Sequence, residues 1–79
     1  MSNSNFNINF DDAIKKEARG LNDYDLGEVQ EITVDYVVTE RGLVDKTKFY
    51  IPKNLVESFD GHVLHFRVSE AEAKAFKRD

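Results

Sequence analysis

The dipeptide Asp60-Gly61 constrains what this chain can fold into more than any other pair of its residues. Asp-Gly suits a tight turn with positive backbone φ, and such turns join antiparallel strands. The segment that follows, His62–Val68, alternates, with Leu64, Phe66 and Val68 toward one side and Val63, His65 and Arg67 toward the other. Upstream, Lys48–Ile51 reads as another strand. Pro52 has no N–H to donate and so marks a strand end or edge. Lys53–Val56 reads as one helical turn, which a preceding proline is well suited to open. Downstream, Ser69-Glu70-Ala71-Glu72 matches the S-x-x-E capping box. Glu70 and Glu72 complement the positive end of that helix, and Lys74, Lys77 and Arg78 its negative end. So short a helix is not stable alone and must dock, with Phe76 as its largest apolar side chain.

The first half is less regular. Phe6, Ile8 and Phe10 alternate with Asn7 and Asn9, which fits either a half-buried strand or an adhesive segment. Asp11–Leu21 fits two readings. Asp11 or Asp12 can cap a helix carrying Ile14, Ala18 and Leu21 at helical spacing, whereas a strand places Ala18 and Gly20 on one small-residue face. The strand is preferred for the second half, because the turn-like NDYDLG and the strand-like GEVQEI follow and complete a hairpin. Val29 is out of phase with Ile32, Val34, Tyr36 and Val38, so a bulge or turn is expected near Thr33–Asp35. Tyr36–Arg41 is a third strand rich in β-branched residues, ended by Gly42, and Leu43–Lys46 is a loop. The expected core is Ile32, Val38, Phe49, Ile51, Leu55, Leu64, Phe66 and Phe76.

With 79 residues, the chain makes one small domain. Domains of this size bury only about 60% of the surface their unfolded chains expose. There is no cysteine to staple the fold, so a partner or a second copy is the expected source of added stability. The net charge of -4 argues against a dedicated nucleic-acid binder, which carries a basic face. No apolar run approaches the roughly 20 residues of a membrane span. The opening MSNSNFNINF lacks the basic and apolar regions of a signal peptide. A cytoplasmic protein with no membrane insertion is expected.

Catalytic, metal-binding and cofactor-binding residues are not expected. His62 and His65 fall on opposite faces of a strand, which argues against a shared metal. Asp23, Asp25 and Glu28 suggest a calcium loop, but the twelfth position counted from Asp23 is Val34, where an acid is required. Ser58, Ser69, Thr33, Thr39 and Thr47 carry no nucleophile motif, and Gly20, Gly27, Gly42 and Gly61 are scattered at turns. Lys46, Lys48 and Lys53 lie near Phe49 and Tyr50 and form a candidate basic patch for nucleic acid. The competing reading sends Phe49 and Ile51 into the core and leaves lysines to guard an edge strand against aggregation.

The pieces Leu26-Gly27-Glu28-Val29, Phe49-Tyr50-Ile51-Pro52 and Asp60-Gly61, in this order, resemble the PRC-barrel domain family. That small β-barrel is named for the photosynthetic reaction-centre H subunit. It is similar to the C-terminal domain of the ribosome maturation factor RimM and to short stand-alone proteins, many of them archaeal. The likeness runs from Ile14 to Phe76. It implies a mainly β fold, a small barrel of five to six short antiparallel strands with a short C-terminal α-helix. Residues 1–12 then form an N-terminal extension and 13–79 the barrel-like domain. The resemblance implies a non-enzymatic adaptor acting through protein contacts, and self-association is expected, giving a homo-oligomer. The alternative is an RNA- or ribosome-associated assembly factor, for which Lys46, Lys48 and Lys53 would have to converge with Arg41 and Arg67. Candidate partner-binding residues are Phe6, Ile8, Phe10 and Tyr50, the first three as an added strand on this barrel or on the edge of a second molecule.

Overall fold

A computed structural model describes residues 8–78. Its first element is a single helical turn, α1 (Phe10–Ala13). The cap is Asn9, whose side chain accepts from the Asp11 N–H at 3.1 Å, so Asp11 and Asp12 occupy the first turn instead of capping it. Both readings of this region therefore hold in part, because the chain turns at Lys15 (φ 69°) and enters strand β1 (Glu17–Arg19). Hydrogen bonds from Lys15 N–H to the Val29 carbonyl and from Val29 N–H to the Lys16 carbonyl extend its pairing with the next strand.

That strand, β2 (Asp25–Ile32), runs antiparallel to β1 and to β3 (Tyr36–Arg41). The register on β3 shifts between Val29 and Glu31, so Val29 pairs with Thr39 and Ile32 with Val37. This bulge at Gln30 resolves the phase conflict. The turn expected at Thr33–Asp35 is also present, held by the Tyr36 N–H donating to Thr33 Oγ1 at 2.9 Å. Gly27, at φ 90°, lies where a Cβ would come within 2.1 Å of the Glu40 carbonyl oxygen, so only glycine lets β2 and β3 approach there.

Strand β4 (Thr47–Pro52) returns along β3 in unbroken register. A 3-10 turn at Lys53–Leu55 leads to β5 (Val56–Phe59), and the Asp-Gly turn joins that to β6 (Val63–Phe66). Gly61 has φ 97°, as the hairpin requires, and Asp60 Oδ1 accepts from the backbone N–H groups of His62 and Val63, both at 2.8 Å. Helix α2 (Glu70–Ala75) is closed by the reciprocal capping box of Ser69 and Glu72. The described chain ends in β7 (Lys77–Arg78), which pairs with Lys48 and Phe49.

The strands form one sheet in the order β5-β6-β1-β2-β3-β4-β7. The protein is thus mainly β with a short helix near its C-terminus. Two features differ from a small antiparallel barrel. Among the described residues the end strands β5 and β7 do not pair, so the sheet of their seven strands stays open. Strands β1 and β6 run parallel, Ala18 opposite Leu64, although every other pairing among the described residues is antiparallel.

The buried cluster includes Leu26, Val29, Val37, Phe49, Ile51, Val56, Leu64, Phe66, Val68 and the alanines 13, 18 and 73. Of the expected core, Phe49, Ile51, Leu64 and Phe66 belong to it, while Ile32, Leu55 and Phe76 are half-buried against it. Val38 is buried as well, but on the other face of the sheet, flanked by Tyr36 two residues earlier and by Tyr50 directly across on β4.

Candidate functional site

Strands β2, β3 and β4 present two unlike faces. Val29, Val37, Thr39, Phe49 and Ile51 turn inward and are buried. Glu28, Tyr36, Val38, Glu40, Lys48 and Tyr50 alternate with them and occupy the outer face. Five large hydrophobic side chains are exposed among the described residues, and four of them, Val34, Tyr36, Leu43 and Val44, lie on β3 or its two turns. Leu43 is 93% exposed and Val44 90%, at the tip of the β3–β4 hairpin. Tyr36 and Tyr50 meet edge to face at 6.4 Å. Beside them a groove of about 370 Å³ is lined by Val34, Asp35, Tyr36, Pro52, Lys53 and Asn54. A larger depression of about 690 Å³ over the β1–β3 side is lined mainly by charged groups, among them Lys15, Arg19, Glu28, Glu40 and Lys46.

The structure separates the residues singled out from the sequence. Phe6 lies outside the described residues. Ile8 and Phe10 are half-buried against the protein's own core, and Phe10 belongs to a helical turn instead of a strand. Tyr50 lies on the outer face. Lys46 and Lys48 sit near the hairpin tip. Lys53 is at the far end of β4, roughly 17 Å from Lys48 along an extended strand. There its ammonium lies 4.6 Å from the Phe10 ring centroid and donates to the Thr33 carbonyl at 3.2 Å. Arg67 donates to the Asn54 carbonyl at that same end. The Arg41 guanidinium is held 5.3 Å from both the Tyr24 and Phe49 rings and donates to the Asp25 carbonyl at 2.7 Å. The lysines thus divide into two groups.

One polar pair was not anticipated. His65 Nε2 lies 3.2 Å from Asp60 Oδ2 across the β5–β6 hairpin. The Asp60 carboxyl is lowered to about 2, first by the backbone N–H of His62, then by that of Val63 and by the His65 ring. The signal was present in the turn, since an aspartate that accepts its own following N–H groups has a fixed side chain, and register carries His65 back beside it. Neither groove includes this pair. His62 lies in the turn before β6, not in the strand. Glu17 and Arg19 form an ion pair on β1, and their hydrogen bond raises the Arg19 pKa. Among the described residues, no three His, Cys, Asp or Glu side chains gather as a metal site. No described helix is long and apolar enough to cross a membrane.

What this geometry offers is a surface. It has aromatic and aliphatic contact groups along β3 and charged groups on both sides of them. In comparisons with known proteins, no family model matches the chain and no curated protein is similar to it.

Proposed function

We propose that this chain is a non-enzymatic protein-interaction module of the PRC-barrel type, in an open-sheet form, that self-associates in the cytoplasm. The observation that carries this reading is the concentration of exposed apolar side chains along one strand and its two turns. Val34, Tyr36, Leu43 and Val44 in water raise the free energy of the isolated molecule, and burial against another protein relieves that. The resemblance of Leu26-Gly27-Glu28-Val29 and Phe49-Tyr50-Ile51-Pro52 to PRC-barrel sequences supports an adaptor role, and the small core supports assistance from a second copy. An RNA-associated role is less well supported, because Lys53 and Arg67 stand at the opposite end of β4 from Lys46 and Lys48.

Sedimentation of the intact protein, together with its melting temperature over a wide concentration range, tests this reading. A self-associating domain shows a mass that grows with concentration and a melting temperature that rises with it. A monomer with a constant melting temperature up to about 200 micromolar, beyond the dissociation constant of a weak contact, would refute the self-association.

A further inference from the structure

The register of the sheet places five charges in one row across the outer face, beginning at Glu17 on β1, which is ion-paired with Arg19 and lies opposite Glu28 on β2. Glu28 on β2 pairs with Glu40 on β3, Glu40 pairs with Lys48 on β4, and Lys48 pairs with Arg78 on β7. Residues directly opposite one another share a face. From Glu28 to Arg78 the row therefore reads minus, minus, plus, plus over about 15 Å, at just under 5 Å per strand. Three of the row's four contacts are like-charged, Glu17 with Glu28, Glu28 with Glu40 and Lys48 with Arg78, and like charges directly opposite destabilise a sheet. Among the described residues none of the four from Glu28 to Arg78 is in an ion pair. Glu40 and Lys48, although directly opposite, do not close one either. Lys15, Arg19 and Lys46 line the depression beside Glu28 and Glu40 and lessen that cost, but among the described residues none of them closes an ion pair to either.

A second copy removes that cost. We infer that two molecules pack outer face to outer face about a two-fold axis parallel to the strands and midway between β3 and β4. This deepens the self-association proposed above and rests on it. The rotation reverses the row, so plus, plus, minus, minus lies over minus, minus, plus, plus. Glu40 then faces Lys48 of the other copy and Glu28 faces its Arg78, each twice by symmetry. The same rotation lays Tyr36, which is exposed, over the half-buried Pro52 of the other copy, so the apolar end of the strip beside the charged row also meets its own kind. Four short strands make a small contact, at the low end of stable interfaces, below about 1,200 Å² in total. Such a dimer is weak and strongly salt-dependent, because its recognition is carried by charges.

The test is sedimentation equilibrium of the full chain at about 20 mM and about 500 mM salt, where the Debye length falls from about 20 Å to about 4 Å. The dimer is expected to weaken about tenfold or more across that range. Glu28→Lys with Glu40→Lys makes the four positions from Glu28 to Arg78 all positive, and Lys48→Glu with Arg78→Glu makes them all negative. Each variant is expected to lose self-association about tenfold or more, and an equimolar mixture of the two should form a heterodimer. Changing all four at once restores the alternation in reverse and should restore the homodimer. Circular dichroism establishes that each variant folds, and the milder pair Glu40→Gln with Lys48→Gln serves if a reversal does not. A wild-type dimer indifferent to salt and to these reversals overturns this surface and leaves self-association standing. A mixture that yields no heterodimer also overturns it. A wild-type protein monomeric throughout overturns both.

Discussion

Lys48 and Phe49 are neighbours in the chain and belong to opposite worlds. Phe49 points into the cluster that holds the fold together, with Thr39 opposite it on β3 and the Arg41 guanidinium over its ring. Lys48 stands on the outer face beside Glu40 and Arg78 and, among the described residues, closes an ion pair with neither. The same three strands are thus shaped by two requirements. One face is filled for packing and determines whether the chain folds. The other carries the charged row and the tyrosines, and is expected to contribute little to folding.

The sharpest way to break that comparison is to truncate the two neighbours separately. Phe49→Ala removes a fully buried ring and is expected to cost roughly 3–5 kcal/mol, most of the stability of a domain this small. Phe66→Ala, at a site only 1% exposed, should behave alike. Lys48→Ala should change stability by no more than about 0.5 kcal/mol. Chemical denaturation of the three variants measures all of this, and similar losses for Phe49 and Lys48 would show that the outer face is also structural.

Two glycines extend the comparison to the backbone. Gly27 has positive φ and lies hard against the β3 carbonyl of Glu40, whereas Gly61 has positive φ and open space around its Cα. Gly27→Ala adds a clash to a strained conformation and should cost about 2 kcal/mol or more. Gly61→Ala meets only the conformational penalty, about 1 kcal/mol. Equal midpoint shifts for the two would mean that β2 and β3 can separate at Gly27 without loss.

The difference between the faces also explains what could be read from the sequence. The half from Thr47 to Ala75 was legible because its signals are local. Asp60-Gly61 made its turn, Ser69 and Glu72 made their reciprocal cap, and Leu64 and Phe66 were buried as their alternation required. The first half depends on contacts between residues far apart in sequence. The parallel pairing of Ala18 with Leu64 has no local signature, and it buries a residue whose side chain is a single methyl. Val29 and Leu26 were left out of the expected core, since the bulge that turns Val29 inward beside Ile32 sits at Gln30. Closure into a barrel was inferred from resemblance, and no pattern in β5 or β7 by itself tells whether edges meet. The candidate surface was hidden for the same reason. Glu28, Glu40, Lys48 and Arg78 are scattered in the chain, and only the register sets them in a row.

Within the core face, Thr39 is the exception. It is fully buried and its Oγ1 has no hydrogen-bond partner among the described residues. A buried hydroxyl left unpaired costs about 1–3 kcal/mol, and valine has nearly the same shape. Thr39→Val should therefore stabilise the fold by about 1 kcal/mol. A loss of stability would mean that the hydroxyl is satisfied in solution and that the inner face is less dry than its packing suggests.

The smallest expected effect concerns Asp60, which belongs to neither face and holds the β5–β6 turn in water. Its carboxyl is lowered to about 2 in the folded protein against an ordinary value of 3.8, because the carboxylate accepts the His62 and Val63 N–H groups and faces the His65 ring. A depressed folded pKa means that the unfolded chain takes up the proton first. The stabilisation is fully present above about pH 4 and is lost as the pH falls toward 2. Asp60→Asn retains an oxygen to accept those N–H groups but cannot titrate. Denaturation of both proteins between pH 2 and 6 should give wild type the steeper acid loss, with the two curves differing only below about pH 4. Because the carboxylate is solvated, the difference should be small and should shrink further in high salt. Parallel curves throughout would show that the turn is held by its backbone and Gly61 alone, with the charge of Asp60 contributing nothing to it.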